Sequence, residues 1–179
     1  VPHPNESNTP NVVFERPVSI GLGFMHMPMP EFGVYHQRRL VVPFRYNQST
    51  SGLETVITQT GIRDEIAASD ILDSDTFDQV YATLRFNAGT ADFTVGLHSF
   101  SDDKLLVFNR NSIHLVINSG DLRTVQTQLL TDEVGCVARD SIIQVGNNVL
   151  FLSDNGVYGA NFQDLYNIRG NEVPLSEPI

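Results

Sequence analysis

The chain should fold as mainly β structure, with antiparallel sheets in a β-propeller-like arrangement of a few blades, for three reasons. Its aliphatic residues come in short clusters instead of one long block. Asn, Asp and Gly pairs of the kind two-residue hairpins require stand between those clusters. A ten-residue pattern beginning at Leu105 returns at Val149, and the two starts, 105 and 149, lie 44 residues apart. That offset falls inside the roughly 40–45-residue window of a four-stranded propeller blade.

The elements follow in chain order. Residues 1 to 30 read as an extended arm or linker, rich in Pro and Asn at its start and without periodic pattern. Within it, Gly21-Leu22-Gly23-Phe24 and Met25-His26-Met27-Pro28-Met29-Pro30 alternate small and large residues broken by proline, a connection and not a sheet centre. Residues 31 to 179 form the β-rich segment. Val34 to Phe44 turns β-like, with Leu40, Val41 and Val42 as a buried run, and Leu53 to Thr58 pairs with it across a polar turn over Asn47 to Ser51. Residues 61 to 80 break the pattern: Ile62, Ile66, Ile71 and Leu72 recur at loosely helical spacing, which predicts a short helical segment or ordered loop. Strands then follow at Tyr81–Phe86, Phe93–Phe100, Lys104–Asn109, Ser112–Ile117, Val125–Leu130, Ser141–Val145, Val149–Ser153 and Gly156–Ala160.

The matching stretches Leu105–His114 and Val149–Tyr158 are each preceded by an amphipathic strand and a tight polar turn. A hairpin of that kind buries one apolar face and cannot close alone, so neighbouring sheets are expected to stack on it.

With 179 residues the chain can bury a core without a metal or a disulfide. No stretch approaches the roughly 20 apolar residues of a membrane helix. The opening VPHPNESNTP holds neither the basic nor the apolar region of a signal peptide. The chain starts at Val1 and stops at Leu175-Ser176-Glu177-Pro178-Ile179, from which an excerpt of a longer polypeptide is expected.

Twenty-one acidic against eleven basic residues leave a net charge of -10, which repels a phosphate backbone and offers no basic stripe to neutralise one. Sequence-specific nucleic-acid binding is not expected, although such a charge suits a surface past which DNA slides without sticking. The single Cys136 has no internal partner and, beside Val134 and Val137, reads as a small buried hydrophobe.

Two clusters invite a metal. Met25-His26-Met27-Pro28-Met29 offers thioethers and an imidazole to a soft ion such as Cu(I), against the plainer role of flexible Met side chains filling an irregular gap. Asp70, Asp73, Asp75 and Asp78 offer oxygens to Ca²⁺ but lack the central Gly and terminal Glu of an EF-hand loop, so a solvated turn or a capping role is the reading adopted. His3, His36, His98 and His114 are scattered, the last two inside predicted strands. No nucleophile elbow, phosphate-cradling loop or dinucleotide fingerprint occurs. Asp102-Asp103 and Asp132-Glu133 sit beside turns, where charge serves solubility, and Asn5-Glu6-Ser7 and Asn47-Gln48-Ser49 match glycosylation acceptors that matter only in a secreted eukaryotic chain. No catalytic, cofactor-binding or metal-binding residue is assigned, and no cofactor.

Several segments carry a resemblance. Ala68-Ser69-Asp70-Ile71-Leu72-Asp73 leading to Phe77, Phe86-Asn87-Ala88-Gly89, the Leu105–His114 stretch, Thr131 to Arg139 and Gly146 to Tyr158 resemble the large tail and virion structural proteins of tailed bacteriophages. Tyr35-His36-Gln37-Arg38-Arg39-Leu40-Val41 resembles the segment opening this region in those proteins, so the likeness spans roughly residues 32 to 175. It implies a propeller-like protein of the tail tube, nozzle or DNA-stabilising group. Such a protein sits in the virion, rings the exit channel with sister subunits, contacts neighbouring virion proteins and carries no catalysis. The alternative is a carbohydrate-binding or depolymerising host-recognition module of a phage tail. That reading calls for exposed aromatic platforms beside acidic pairs, and the absence of Trp, with only five Tyr, weighs against it.

Overall fold

The computed structural model describes residues 24–26, 30–43, 45–51, 54–60, 64–78, 83–117, 124–164 and 167–170, with side chains described over 30–43, 64–77, 83–117 and 124–160. These residues form three antiparallel sheets and a separate two-stranded ribbon. A single 3-10 turn at Arg139–Ser141 is the one helical element among them.

The first sheet contains β1 (Phe24–His26), β2 (Val34–His36) and β3 (Arg39–Pro43), while β4 (Arg45–Ser51) and β5 (Glu54–Thr60) make the ribbon. It is completed by β6 (Glu65–Asp70), β7 (Asp73–Asp78) and β8 (Thr83–Arg85), in the order β1-β7-β6-β3-β2 with β8 also paired to β6. The second sheet is a meander of β9 (Thr94–Ser101), β10 (Lys104–Asn109), β11 (Ile113–Ile117) and β12 (Gln126–Thr131). The third repeats that plan with β13 (Ile143–Val145), β14 (Asn148–Ser153), β15 (Gly156–Asp164) and β16 (Asn167–Gly170).

Side-chain alternation explains how the sheets stack, because successive residues of a strand point to opposite faces. All six residues of β10 are buried. Leu105 and Val107, with Val116 across the pair, pack on Val41, Ile66, Ala68 and Phe86 of the first-sheet side. Leu106 and Phe108, with Ile113 and Leu115, pack the other way onto Val149, Phe151, Tyr158 and Ala160 of the third sheet. The second sheet is therefore covered on both faces, which is why its central strands read as continuous apolar runs. Burying a side chain such as Phe108 or Leu106 contributes about 1.5–3 kcal/mol. A third cluster, Val42, Ala67 and Phe77 with Leu40 against them, lies on the opposite face of the first sheet. Neighbouring sheets meet strand to strand as well, β2 beside β9 and β12 beside β16.

Several expectations are corrected. The helical segment expected near residues 61 to 80 is, among the described residues, the β6–β7 hairpin. Ile66, Ala67, Ala68 and Ser69 are buried without interruption because β6 is sandwiched between faces, whereas Ile71 and Leu72 are exposed at the tip. Leu72 has a φ of 60° there, and its N–H donates to the Arg38 carbonyl at 2.9 Å. The loosely helical spacing joined core residues to tip residues and so described no single face.

The polar turn expected over Asn47 to Ser51 lies instead within β4, which pairs with β5 from Arg45↔Thr60 to Ser51↔Glu54. The strand expected across Val34 to Phe44 is a hairpin, β2–β3, reversing at Gln37 and Arg38 with φ of 49° and 62°. Two consecutive non-glycine residues at positive φ form the tight turn that Asn-Gly usually supplies, at a conformational cost the flanking pairs must offset. The expected connection at residues 21 to 30 holds β1, an edge strand on β7, and the rest of the arm apart from Pro30 lies outside the described residues.

Candidate functional site

The densest polar site lies at the tip of the β10–β11 hairpin, where the chain entering β9 crosses it. Asp92 is its centre. One carboxylate oxygen accepts from the backbone N–H of Phe93 at 3.1 Å and of Asn111 at 2.9 Å. The other accepts from Asn87 Nδ2 at 3.1 Å and from the Ser112 hydroxyl at 2.6 Å. Asn109 Nδ2 donates to Ser112 Oγ at 3.1 Å, and Thr94 Oγ1 donates to Asn109 Oδ1 at 3.1 Å. Asn87 reaches the cluster with a φ of 48°, a left-handed conformation that Asn tolerates better than most residues. Its Nδ2 also lies 2.8 Å from Ser112 Oγ.

Asp92, Ser112 and His114 invite comparison with a nucleophilic triad, and their connectivity argues against one. A triad needs the imidazole between carboxylate and hydroxyl, so that it takes the serine proton. Here Ser112 gives its proton straight to Asp92, and His114 Nε2 lies 3.1 Å from Ser112 Oγ, so the imidazole does not stand between carboxylate and hydroxyl. The His114 ring lies 4.9 Å from that of Phe86, and burial lowers its pKa against the raising influence of Asp92. The nearby amides of Phe93 and Asn111, which an oxyanion would need, already serve Asp92. This arrangement can hold three chain segments together and keeps a neutral imidazole buried among them.

The same tip is fastened to the third sheet. Arg110 makes a bidentate pair with Asp154, both N–H···O distances being 2.7 Å, across a separation of 44 residues. The two residues occupy equivalent turn positions in the repeated hairpins. Hydrogen bonding to Asp154 raises the Arg110 pKa, and hydrogen bonding from Arg110 lowers that of Asp154. The Cys136 N–H donates to the Asn109 carbonyl at 2.9 Å, and a Cβ on Gly135 would overlap the Arg110 carbonyl, so that position accepts only glycine without a shift.

Histidines mark the other seams. His36 Nδ1 shares a 2.7 Å hydrogen bond with Ser99 Oγ, joining β2 to β9, and its buried Nε2 finds no hydrogen-bond partner among the described residues. Burial lowers the His36 pKa, opposed by Asp103 and Asp102. His98 Nε2 donates to Gln144 Oε1 at 3.0 Å, joining β9 to β13, while Gln144 Nε2 reaches the Phe100 carbonyl at 3.4 Å.

The clusters singled out in the sequence fall elsewhere. Met25 and His26 lie in β1, and Met27, Pro28 and Met29, like His3 and Asn5, lie outside the described residues. Asp70, Asp73 and Asp75 are exposed along the β6–β7 hairpin, and the side chain of Asp78 is outside the described set. Asp73 accepts from the Asp75 N–H at 3.0 Å and the Thr76 hydroxyl at 2.9 Å, bonds that lower its pKa, while Asp70 lies 3.8 Å from Arg39. Among the described residues no group of three or more His, Cys, Asp or Glu is placed to hold a metal ion. Asp103 accepts from Ser101 and Lys104 at the β9–β10 turn, and Asp132 and Glu133 are exposed after β12. Cys136 is fully buried, and desolvation raises its thiol pKa, which leaves it a poor nucleophile.

Sequence reasoning missed the Asp92 cluster. Its signal was present in Asn109, Ser112 and His114, polar residues set into otherwise apolar strands, because a buried polar group requires a partner.

Fold and site together define a multi-sheet antiparallel β protein whose polar residues fasten sheets to one another. Comparison with known protein families, with curated proteins and with solved structures finds nothing that matches this chain.

Proposed function

We propose that this chain is a structural, non-catalytic element of a tailed-bacteriophage particle, in the tail tube, nozzle or head–tail region, and that its sheets are consecutive blades of a propeller-like arrangement. Its work is to make contacts with sister subunits and neighbouring virion proteins. One observation carries the reading: the second sheet is covered on both faces by the sheets before and after it in the chain. Stacking of that kind extends sheet by sheet and gives a rigid body rather than a cleft. The phage assignment is supported by the likeness of residues such as Phe86-Asn87-Ala88-Gly89 and Gly146 to Tyr158 to virion proteins. The net charge of -10 is compatible with DNA passing nearby without adhering.

Cryo-electron microscopy of particles carrying a tagged copy of the full protein tests the reading. Density for the tag in the tail or at the head–tail junction supports it. A protein absent from particles that binds glycans on an array as a monomer would replace it with the host-recognition module.

A further inference from the structure

Two edge strands from different sheets meet along one seam. β2 ends the order of the first sheet and β9 that of the second, and the two lie side by side. Across the seam His36 Nδ1 shares a 2.7 Å hydrogen bond with Ser99 Oγ. His36 is only 2% exposed, and its Nε2 has no hydrogen-bond partner among the described residues. Behind the seam the sheets are joined by the aliphatic contact of Val41, Ile66 and Ala68 with Leu105, Val107 and Val116.

A neutral imidazole fits this place and an imidazolium does not. With its proton on Nδ1, the ring donates to Ser99 and leaves only an acceptor buried at Nε2. Protonation makes Nε2 a second, charged donor, and a buried charge without a partner is strongly disfavoured. The charged groups around the ring do not close on it. Arg39, its register partner on β3, spends its guanidinium on the Ser69 carbonyl at 2.7 Å and adds like charge, as does Arg38 in the β2–β3 turn. At the β9–β10 turn, Asp103 already accepts from Ser101 Oγ at 2.9 Å and from Lys104 Nζ at 3.1 and 3.3 Å, and Asp102 is exposed. Burial outweighs the attraction of those two carboxylates while the ring stays in the seam. Outside the seam an imidazolium keeps their field and gains water.

We infer that His36 is an acid-released latch, whose protonation frees the edge of the β2–β3 hairpin from β9 while the apolar contact behind it keeps the two sheets together. The opening is local, because the aliphatic side chains of that contact do not titrate. His114, the other buried histidine, stands on β11 in the Asp92 cluster and is not part of the seam. The latch does not rest on the assembly reading, since it concerns two sheets of one chain wherever the protein resides.

Amide hydrogen exchange of the 179-residue chain tests it, expressed as protection factors so that the intrinsic effect of pH on exchange cancels. In the open form His36 titrates near the ordinary value of about 6.5, so opening is favoured up to about tenfold more at pH 5.5 than at pH 7.5. Protection in β2 and β3 should fall by that factor, and protection in β14 should hold. His36→Gln keeps a side chain able to bond Ser99 but cannot titrate, and should make protection of β2 and β3 independent of pH over this range. His114→Gln should leave the response in place. An NMR titration of the His36 ring in the wild type needs no folded variant, and its midpoint should coincide with the loss of protection. Unchanged protection at pH 5.5, an equal loss in all three sheets, a ring midpoint apart from the loss of protection, or a response that survives His36→Gln overturns the inference.

Discussion

Gly135 shows how much a single backbone position constrains this molecule. The segment after β12 passes so close to the β10–β11 tip that an added Cβ would overlap the Arg110 carbonyl and the Asn111 nitrogen. Those are backbone atoms and cannot swing aside, so Gly135→Ala is expected to cost about 1–3 kcal/mol, read as a lower midpoint in urea denaturation. Ser112→Ala removes the hydroxyl that donates to Asp92 and leaves part of a buried carboxylate unsatisfied. A loss of about 1–3 kcal/mol follows by the same assay, and a neutral result would mean that Asp92 is solvated by other means. The two buried histidines supply a pH dependence whose sign is fixed. Both His36 and His114 have pKa values lowered chiefly by burial, so the unfolded chain binds their protons more readily than the folded one. Stability from keeping them neutral is fully present above the ordinary value of about 6.5 and is lost as pH falls from there through the folded values. Tm should therefore decline on moving from about pH 7.5 toward pH 5, and replacing both residues by Gln should flatten the decline. Asp73, Asp103 and Asp154, whose pKa values are lowered, contribute a separate loss below about pH 4.

Among the elements, the hairpins differ in how openly the sequence announces them. The β10–β11 and β14–β15 pairs are plain, because Asn109 and Asn111 in one, and Asp154, Asn155 and Gly156 in the other, set turn chemistry between apolar runs on both sides. The β2–β3 reversal is hidden, since Gln37 and Arg38 carry no turn signature and are held at positive φ by the pairs around them. The β4 strand is hidden for a different reason: Asn47, Gln48, Ser49 and Thr50 are polar residues that elsewhere form loops, and backbone pairing with β5 decides their state. Between sheets, Phe151 is the sharpest probe. Its ring lies 5.2 Å from that of Phe108 and 6.2 Å from that of Tyr158, linking the second and third sheets. Phe151→Ala should cost about 3–5 kcal/mol in thermal or chemical denaturation, since a cavity between two sheets cannot easily collapse.

At the scale of the whole molecule, the second sheet is the member on which the others depend. Removing the third sheet by ending the chain after Val137 would uncover Leu106, Phe108, Ile113 and Leu115 together. The shortened protein should bind a hydrophobic dye strongly or aggregate where the full chain does not. A truncated chain that stays monomeric and dye-silent would show that the second sheet does not need this cover.

Period and punctuation along the chain were enough to establish a mainly β protein, the limits of most strands after residue 83 and the matching hairpins 44 residues apart, because alternation and turn chemistry are local properties. Packing in three dimensions settled which face of each strand meets which neighbour, that residues 65 to 78 pair as strands, and that Asp92 reaches Ser112 across 20 positions to fasten a hairpin tip. Those outcomes depend on burial between sheets and on hydrogen bonds between distant segments, and no short window of sequence contains both partners of such a contact.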